Sequence, residues 1–253
     1  GIHSSRWRGA VLALVLAAAA VLLPRPPVNP ARECLEADSI LAEAWLSANR
    51  PDLAEPLLRK ALAGQPEWSR HHELLGLTLR RLGRDAEAED VFETAAARFP
   101  DSATAWMNLA VLYSDQLRTE DAENAFAKAL AVADPPDADL CYNQALFQQR
   151  RNRLAQAESG YRTALAANPS HLPARINLGA VLMNQNRASQ AVAEFAIALR
   201  LAPGDSRIRT NYALALAAAG DRIRARREVE RILRRNPEAA AARQLRDLLT
   251  ENE

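Results

Sequence analysis

Residues 88–100 read "AEDVFETAAARFP", with Ala88, Phe92 and Ala95 on one helix face and Pro100 closing the run. Steps of four and then three residues stack these side chains along a single stripe of a 3.6-residue helix. The stripe recurs 34 residues earlier as Ala54, Leu58, Ala61 and Pro66. Downstream come Ala122, Phe126 and Ala129, then, after one inserted residue, Ala157, Tyr161, Ala164 and Pro169. Ala191, Phe195, Ala198 and Pro203 continue the series, and Ala225, Val229, Ile232 and Pro237 end it, so that six copies fill residues 35–238. Each residue type has a reason to be where it is. Ala or Gly lets two helices approach closely, the aromatic ring fills the space toward the next copy, and Pro stops the helix for want of an N–H.

A second pattern precedes each stripe: Leu75, Gly76 and Leu79; Trp106, Leu109, Ala110 and Tyr113; Leu178, Gly179 and Leu182. Together the two halves resemble the tetratricopeptide repeat, a helix pair of 34 residues with the pattern W-x2-L-G-x2-Y…A-x3-F…P. The resemblance implies an all-α protein, an α-solenoid wound as a right-handed superhelix, in which no copy buries its own apolar face and stacking makes the core. It divides the chain into residues 1–34, an apolar segment with a Pro-rich linker, and residues 35–253, six repeats closed by a capping helix in "EAAAARQLRDLLTENE". The fourth copy departs from the pattern at Gln144 and Gln148, which predicts looser or more polar packing there. Ser170, Asp205 and Asn236 are expected as helix N-caps, and Gly83 and Gly220 as turn residues within a copy.

Apolar residues make up 49% of the 253, and the formal net charge is +1. That balance gives no electrostatic case for nucleic acid. Cys34 and Cys141 lie far apart and imply no disulfide framework, and Cys141 is expected as a small buried hydrophobe. From Arg222 to Arg246 nine Arg face three Glu. The plain reading is a solvated outer face, and an acidic partner or phospholipid headgroups are the alternative.

Residues Gly9–Leu23, "GAVLALVLAAAAVLL", carry no charge and are followed by "PRPPVNP". As a helix the run would measure roughly 22 Å, short of the ~30 Å hydrocarbon core. We expect an uncleaved membrane anchor, with a secretory signal peptide and a helix buried in a partner as alternatives. The positive-inside rule decides little, and the free amine tips the bulk of the chain toward the outer, periplasmic side of a bacterial inner membrane.

The other recurring feature is an asparagine. Asn108 in "WMNLAVLY", Asn143 in "CYNQALFQ", Asn177 in "RINLGAVL" and Asn211 in "RTNYALAL" each precede the Leu-type position of a first helix. Asn is disfavoured inside helices, so a row of four needs a cause. The first two copies carry Ile40 and Leu74 at this place. An amide offers one acceptor and two donors, enough to grip a passing peptide bond. At about 10 Å per helix and about 3.4 Å per extended residue, one Asn meets every third residue of a bound strand. The row resembles the asparagine ladders of protein glycosyltransferase superhelices, which implies peptide binding on the concave side. The alternative is an Asn that bonds the neighbouring helix and holds the stack. Val111, Leu146, Ala180 and Leu214 lie three residues beyond the row, with Met107, Tyr142 and Ile176 beside it, so the expected groove floor is apolar. It lacks the Lys and Asn of repeats that clamp the acidic tails of heat-shock chaperones.

Catalytic chemistry is not indicated. "HHELLG" at His71–Gly76 lacks the second His of H-E-x-x-H, the Asp residues of "DPPDAD" read as caps rather than as a calcium loop, and no phosphate loop or G-x-S-x-G occurs. No cofactor or metal is called for. The expected function is a non-enzymatic, membrane-anchored scaffold that binds an extended peptide or helix of a protein partner as an assembly subunit of an envelope complex. Two further readings stand: the C-terminal region of a larger membrane enzyme of glycosyltransferase or polysaccharide ligase type, and a filament subunit. Homo- or hetero-oligomeric assembly is compatible with each.

Overall fold

The computed structural model describes residues 30–250, and every regular element in that range is a helix. In chain order these are α1 (Pro30–Ser47), α2 (Pro51–Gly64), α3 (Ser69–Arg81), α4 (Asp85–Arg98), α5 (Ala103–Asp115), α6 (Thr119–Val132) and α7 (Ala138–Arg150). Then follow α8 (Leu154–Ala167), α9 (Leu172–Asn184), α10 (Ala188–Leu201), α11 (Ser206–Ala218), α12 (Arg222–Arg235) and α13 (Ala240–Thr250). The chain forms two compact units, one ending at Arg84 and the other beginning at Asp85. The apolar run Gly9–Leu23 lies outside the described residues, and among those described no helix is long and apolar enough to cross a membrane.

In the first unit α1, α2 and α3 pack on one another around Ala54, Leu58, Ala61 and Leu75. Ser39 Oγ lies 2.8 Å from His71 Nε2, and the His71 ring stacks on Trp68. His71 and His72 are both buried, and no group of three His, Cys, Asp or Glu among the described residues is arranged to hold a metal.

The second unit holds α4 to α13. Its first helices α5, α7, α9, α11 and α13 each touch the next in the row, whereas the second helices α4, α6, α8, α10 and α12 touch no other second helix. Close spacing on one side and wide spacing on the other curve this stack, with the first helices inside. Between them sit Phe92, Phe126, Tyr161 and Phe195, all buried. A Cβ on Gly179 would come 2.7 Å from the Phe195 ring, and one on Gly160 would come 2.8 Å from Ala145 Cβ, so both positions need a bare backbone.

The fold repeats its polar devices with the same period as its core. Ser102, Asp137, His171 and Asp205 cap the first helices α5, α7, α9 and α11, each accepting a backbone N–H from the first turn. Asp205 is thus a cap as expected, but Ser170 and Asn236 are not. His171 takes the place of Ser170, because its Nδ1 reaches the amide of Ala174 at 3.1 Å, while Asn236 closes α12 and accepts from Glu238 N. A donor near the start of the first helix meets the carbonyl of the helix-stopping Pro six residues before it: Trp106 Nε1 to Pro100 at 2.8 Å, Arg175 to Pro169 at 2.7 Å and Arg209 to Pro203 at 2.8 Å. Arg84, Arg118, Arg153 and Arg187 bridge back to Glu55, Glu89, Glu123 and Glu158 of the preceding copy. Hydrogen bonds from Gln116 and Arg118 hold the Glu89 carboxyl below its usual range. These rim pairs are partly exposed, and each contributes at most about 1 kcal/mol.

The turn within each copy places one residue in the left-handed region: Asn49, Gly83, Leu117, Asn152, Asn186 and Gly220. Gly and Asn tolerate that backbone, as expected for Gly83 and Gly220. Leu117 does not, and at φ 61° it is also 86% exposed, so its side chain earns no burial in return. Leu117→Asn is expected to stabilise the protein by about 1 kcal/mol, because a left-handed L-residue costs roughly 1–2 kcal/mol. An unchanged urea midpoint would refute this.

The fourth copy is open where Gln144 and Gln148 interrupt the pattern. They line a cleft of about 330 Å³ with Leu130, Pro136, Gln156 and Thr163. Cys141 at its edge is buried, and burial pushes its thiol up. On α12, Arg224 pairs with Asp221, Arg231 with Glu228, and Arg226 donates to Leu249 O, so part of the Arg-rich face is spent within the fold.

Candidate functional site

The asparagine row falls on four of the first helices, with one residue each on α5, α7, α9 and α11. Each Asn comes one residue before a Leu-type position that points into the stack, and this places it at the edge of the buried stripe. Asn143, Asn177 and Asn211 are half-buried there. Asn108 departs from the expectation of an open amide: it is only 8% exposed, and its Nδ2 has no partner among the described residues.

The amides that do make contacts make weak ones. Asn143 Nδ2 lies 3.6 Å from Met107 Sδ, and Asn177 Nδ2 lies 3.5 Å from Tyr142 Oη and 3.4 Å from Tyr161 Oη. Hydrogen bonds of that length contribute little to holding a stack together. Among the described residues no donor meets the Oδ1 atoms of Asn143 and Asn177, and the Asn211 amide has no hydrogen-bond partner. Tyr142 packs between the Tyr161 ring at 5.9 Å and the His171 ring at 5.0 Å, which gives the row an aromatic wall. Burial raises the Tyr161 phenol well above its ordinary range, so it stays neutral, donating to Gln149 Oε1 at 2.6 Å and accepting from Asn177.

Val111, Leu146 and Ala180 are half-buried one turn further on, and Leu214 is 41% exposed. Leu248 continues this line 34 residues after Leu214 and is 58% exposed. Sequence reading omitted Leu248, although the period alone points to it. Ile176, Asn177 and Asn211 come together in a cleft of about 400 Å³ between α9 and α11, with Leu172, Pro173, Asp205, Arg207 and Ile208 completing its walls. Of the predicted residues, these three share one cavity. What this arrangement can do is hydrogen-bond a peptide backbone and seat apolar side chains.

The stacked helix pairs define a helical-repeat protein. The chain belongs to the tetratricopeptide repeat family, whose profile matches residues 41–103, 73–138 and 142–206. It is similar to the Homo sapiens protein named Protein O-mannosyl-transferase TMTC1, at 25% identity over 179 residues, covering 69% of this chain and 20% of that one. It is also similar to Protein FlbA of Caulobacter vibrioides, at 29% identity over 168 residues, covering 66% of this chain and 28% of that one. The chain therefore spans less than a third of the length of either relative. Among solved structures, PilF of Pseudomonas aeruginosa superposes with a TM-score of 0.72 at 17% identity, covering 87% of this chain and 100% of that one. That last likeness is one of fold.

Proposed function

We propose that this protein is a non-catalytic scaffold that grips an extended segment of a partner protein along the inner face of α5, α7, α9 and α11. The observation that carries the proposal is the row Asn143, Asn177 and Asn211, whose amides are half-buried, weakly bonded or unbonded, and flanked by an apolar floor. An Asn kept to hold the stack would make shorter bonds than these. Anchoring by Gly9–Leu23, with the repeats on the outer side of the membrane, and service as an assembly subunit of an envelope complex belong to the same reading.

The test is Asn143→Ala with Asn177→Ala in the full chain, using a photo-crosslinker at Leu214 to identify the segment bound in the host cell. The double variant is expected to weaken that segment's binding at least tenfold, about 1.4 kcal/mol, with a nearly unchanged melting temperature. Lost stability at unaltered affinity would assign both amides to the stack instead. A second reading, a repeat region of a larger membrane transferase, is favoured by one observation: the match to TMTC1 covers only 20% of that protein.

A further inference from the structure

The second residues of α5, α7, α9 and α11 stand at equivalent places in the repeat, and in chain order these are Thr104, Asp139, Pro173 and Arg207. Two of the four are charged, with opposite signs. Arg207 is 90% exposed, and among the described residues its ionic contact is Asp205 at 3.4 Å. The Asp205 carboxylate is already engaged by the backbone N–H groups of Arg207 and Ile208. A cation in the first turn of a helix opposes the helix dipole, so the stability of α11 does not account for an Arg at this place. Arg207 also lines the α9–α11 cleft, next to Ile176, Ile208, Asn177 and Asn211.

Asp139, two first helices away, is 75% exposed. Among the described residues its close side-chain partner is His171 Nε2 at 3.1 Å. Because His171 Nδ1 accepts the amide hydrogen of Ala174, the ring hydrogen sits on Nε2 and the imidazole facing Asp139 is neutral. The negative charge of Asp139 is therefore not cancelled.

Resting on the groove reading above, we infer that Asp139 and Arg207 set the direction and composition of the bound segment. One apolar side chain enters the α9–α11 cleft, an acidic residue meets Arg207, and a basic residue meets Asp139. Two helix spacings of about 10 Å separate the charges, which equals about six residues of extended chain. The occupant is thus an extended protein segment carrying a basic and an acidic residue about six positions apart with an aliphatic residue between them. A uniformly acidic tail would be repelled at Asp139, and a uniformly basic one at Arg207.

The probes are two fluorescein-labelled twelve-residue peptides in a Ser/Gly host, one with Lys, Leu and Glu at positions 3, 6 and 9 and the other with Lys and Glu exchanged. Fluorescence anisotropy with the full chain is expected to favour one order at least fivefold. Asp139→Lys with Arg207→Glu should invert the preference, and Arg207→Ser alone should abolish it without moving the melting temperature. Equal binding of both orders, a preference unchanged by the charge exchange, or binding of neither peptide overturns the inference. The groove reading is judged separately: crosslinked partner binding that survives Arg207→Ser but falls in the Asn143/Asn177 double variant retains the groove and discards only its polarity.

Discussion

Phe195→Ala is expected to produce the largest loss of stability among single substitutions in the second unit, about 3–5 kcal/mol. The ring is buried, and the backbone of Gly179 is pressed against it so closely that a methyl group could not fit between. Removing the ring leaves a void bounded by α9, α10 and neighbouring copies, and the bare Gly179 has no side chain with which to fill it. Because each copy depends on its neighbours for a core, the loss should spread through the stack. Hydrogen exchange should show amides of α9, α10 and α11 losing protection while those of α1 and α2 keep theirs. A loss below about 1 kcal/mol by urea denaturation, or one confined to α10, would contradict the packing described.

Glu228→Ala should cost nearly as much, about 3 kcal/mol, for an electrostatic reason. Glu228 is buried and accepts from Arg209 at 2.8 Å and from Arg231 at 2.6 Å. The Arg209 guanidinium is itself largely buried, and its other partner is the carbonyl of Pro203. Without the carboxylate a positive charge stays out of water with one neutral acceptor. Changing both partners to Met should recover most of the loss, since a well-packed apolar pair avoids the desolvation penalty that the ion pair must overcome. If the double variant were less stable than Glu228→Ala alone, the pair would be worth more than its desolvation cost. Arg175 with Glu194 at 2.7 Å repeats the arrangement one copy earlier and should behave alike.

These two sites also separate what was readable in the chain from what was not. Phe195 and Gly179 announce themselves through spacing, because a 3.6-residue stripe and a repeating period constrain any helix pair that must bury them. Arg175 and Arg209 carried no such signal. They stand where the third copy has Trp106, and only with Pro169, Pro203 and the acidic residues in place is it visible that a guanidinium can meet a proline carbonyl as an indole does. Capping misled for the same reason. Ser170 has the right chemistry for a cap, but His171 is one residue closer to the helix and reaches the amide of Ala174.

The four ladder asparagines show the limit most directly. Composition and period determined that six helix pairs would form, where each would stop, and which residues would share a row, since those are consequences of local backbone preference and regular spacing. Which amides remain open was decided by packing alone: Asn108 is enclosed, Asn143 and Asn177 lean on Met107, Tyr142 and Tyr161, and Asn211 borders a cleft with Arg207. Equivalent positions in a repeat share a backbone, but the free energy of each side chain depends on neighbours that differ from copy to copy, and those neighbours are brought together only when the helices stack.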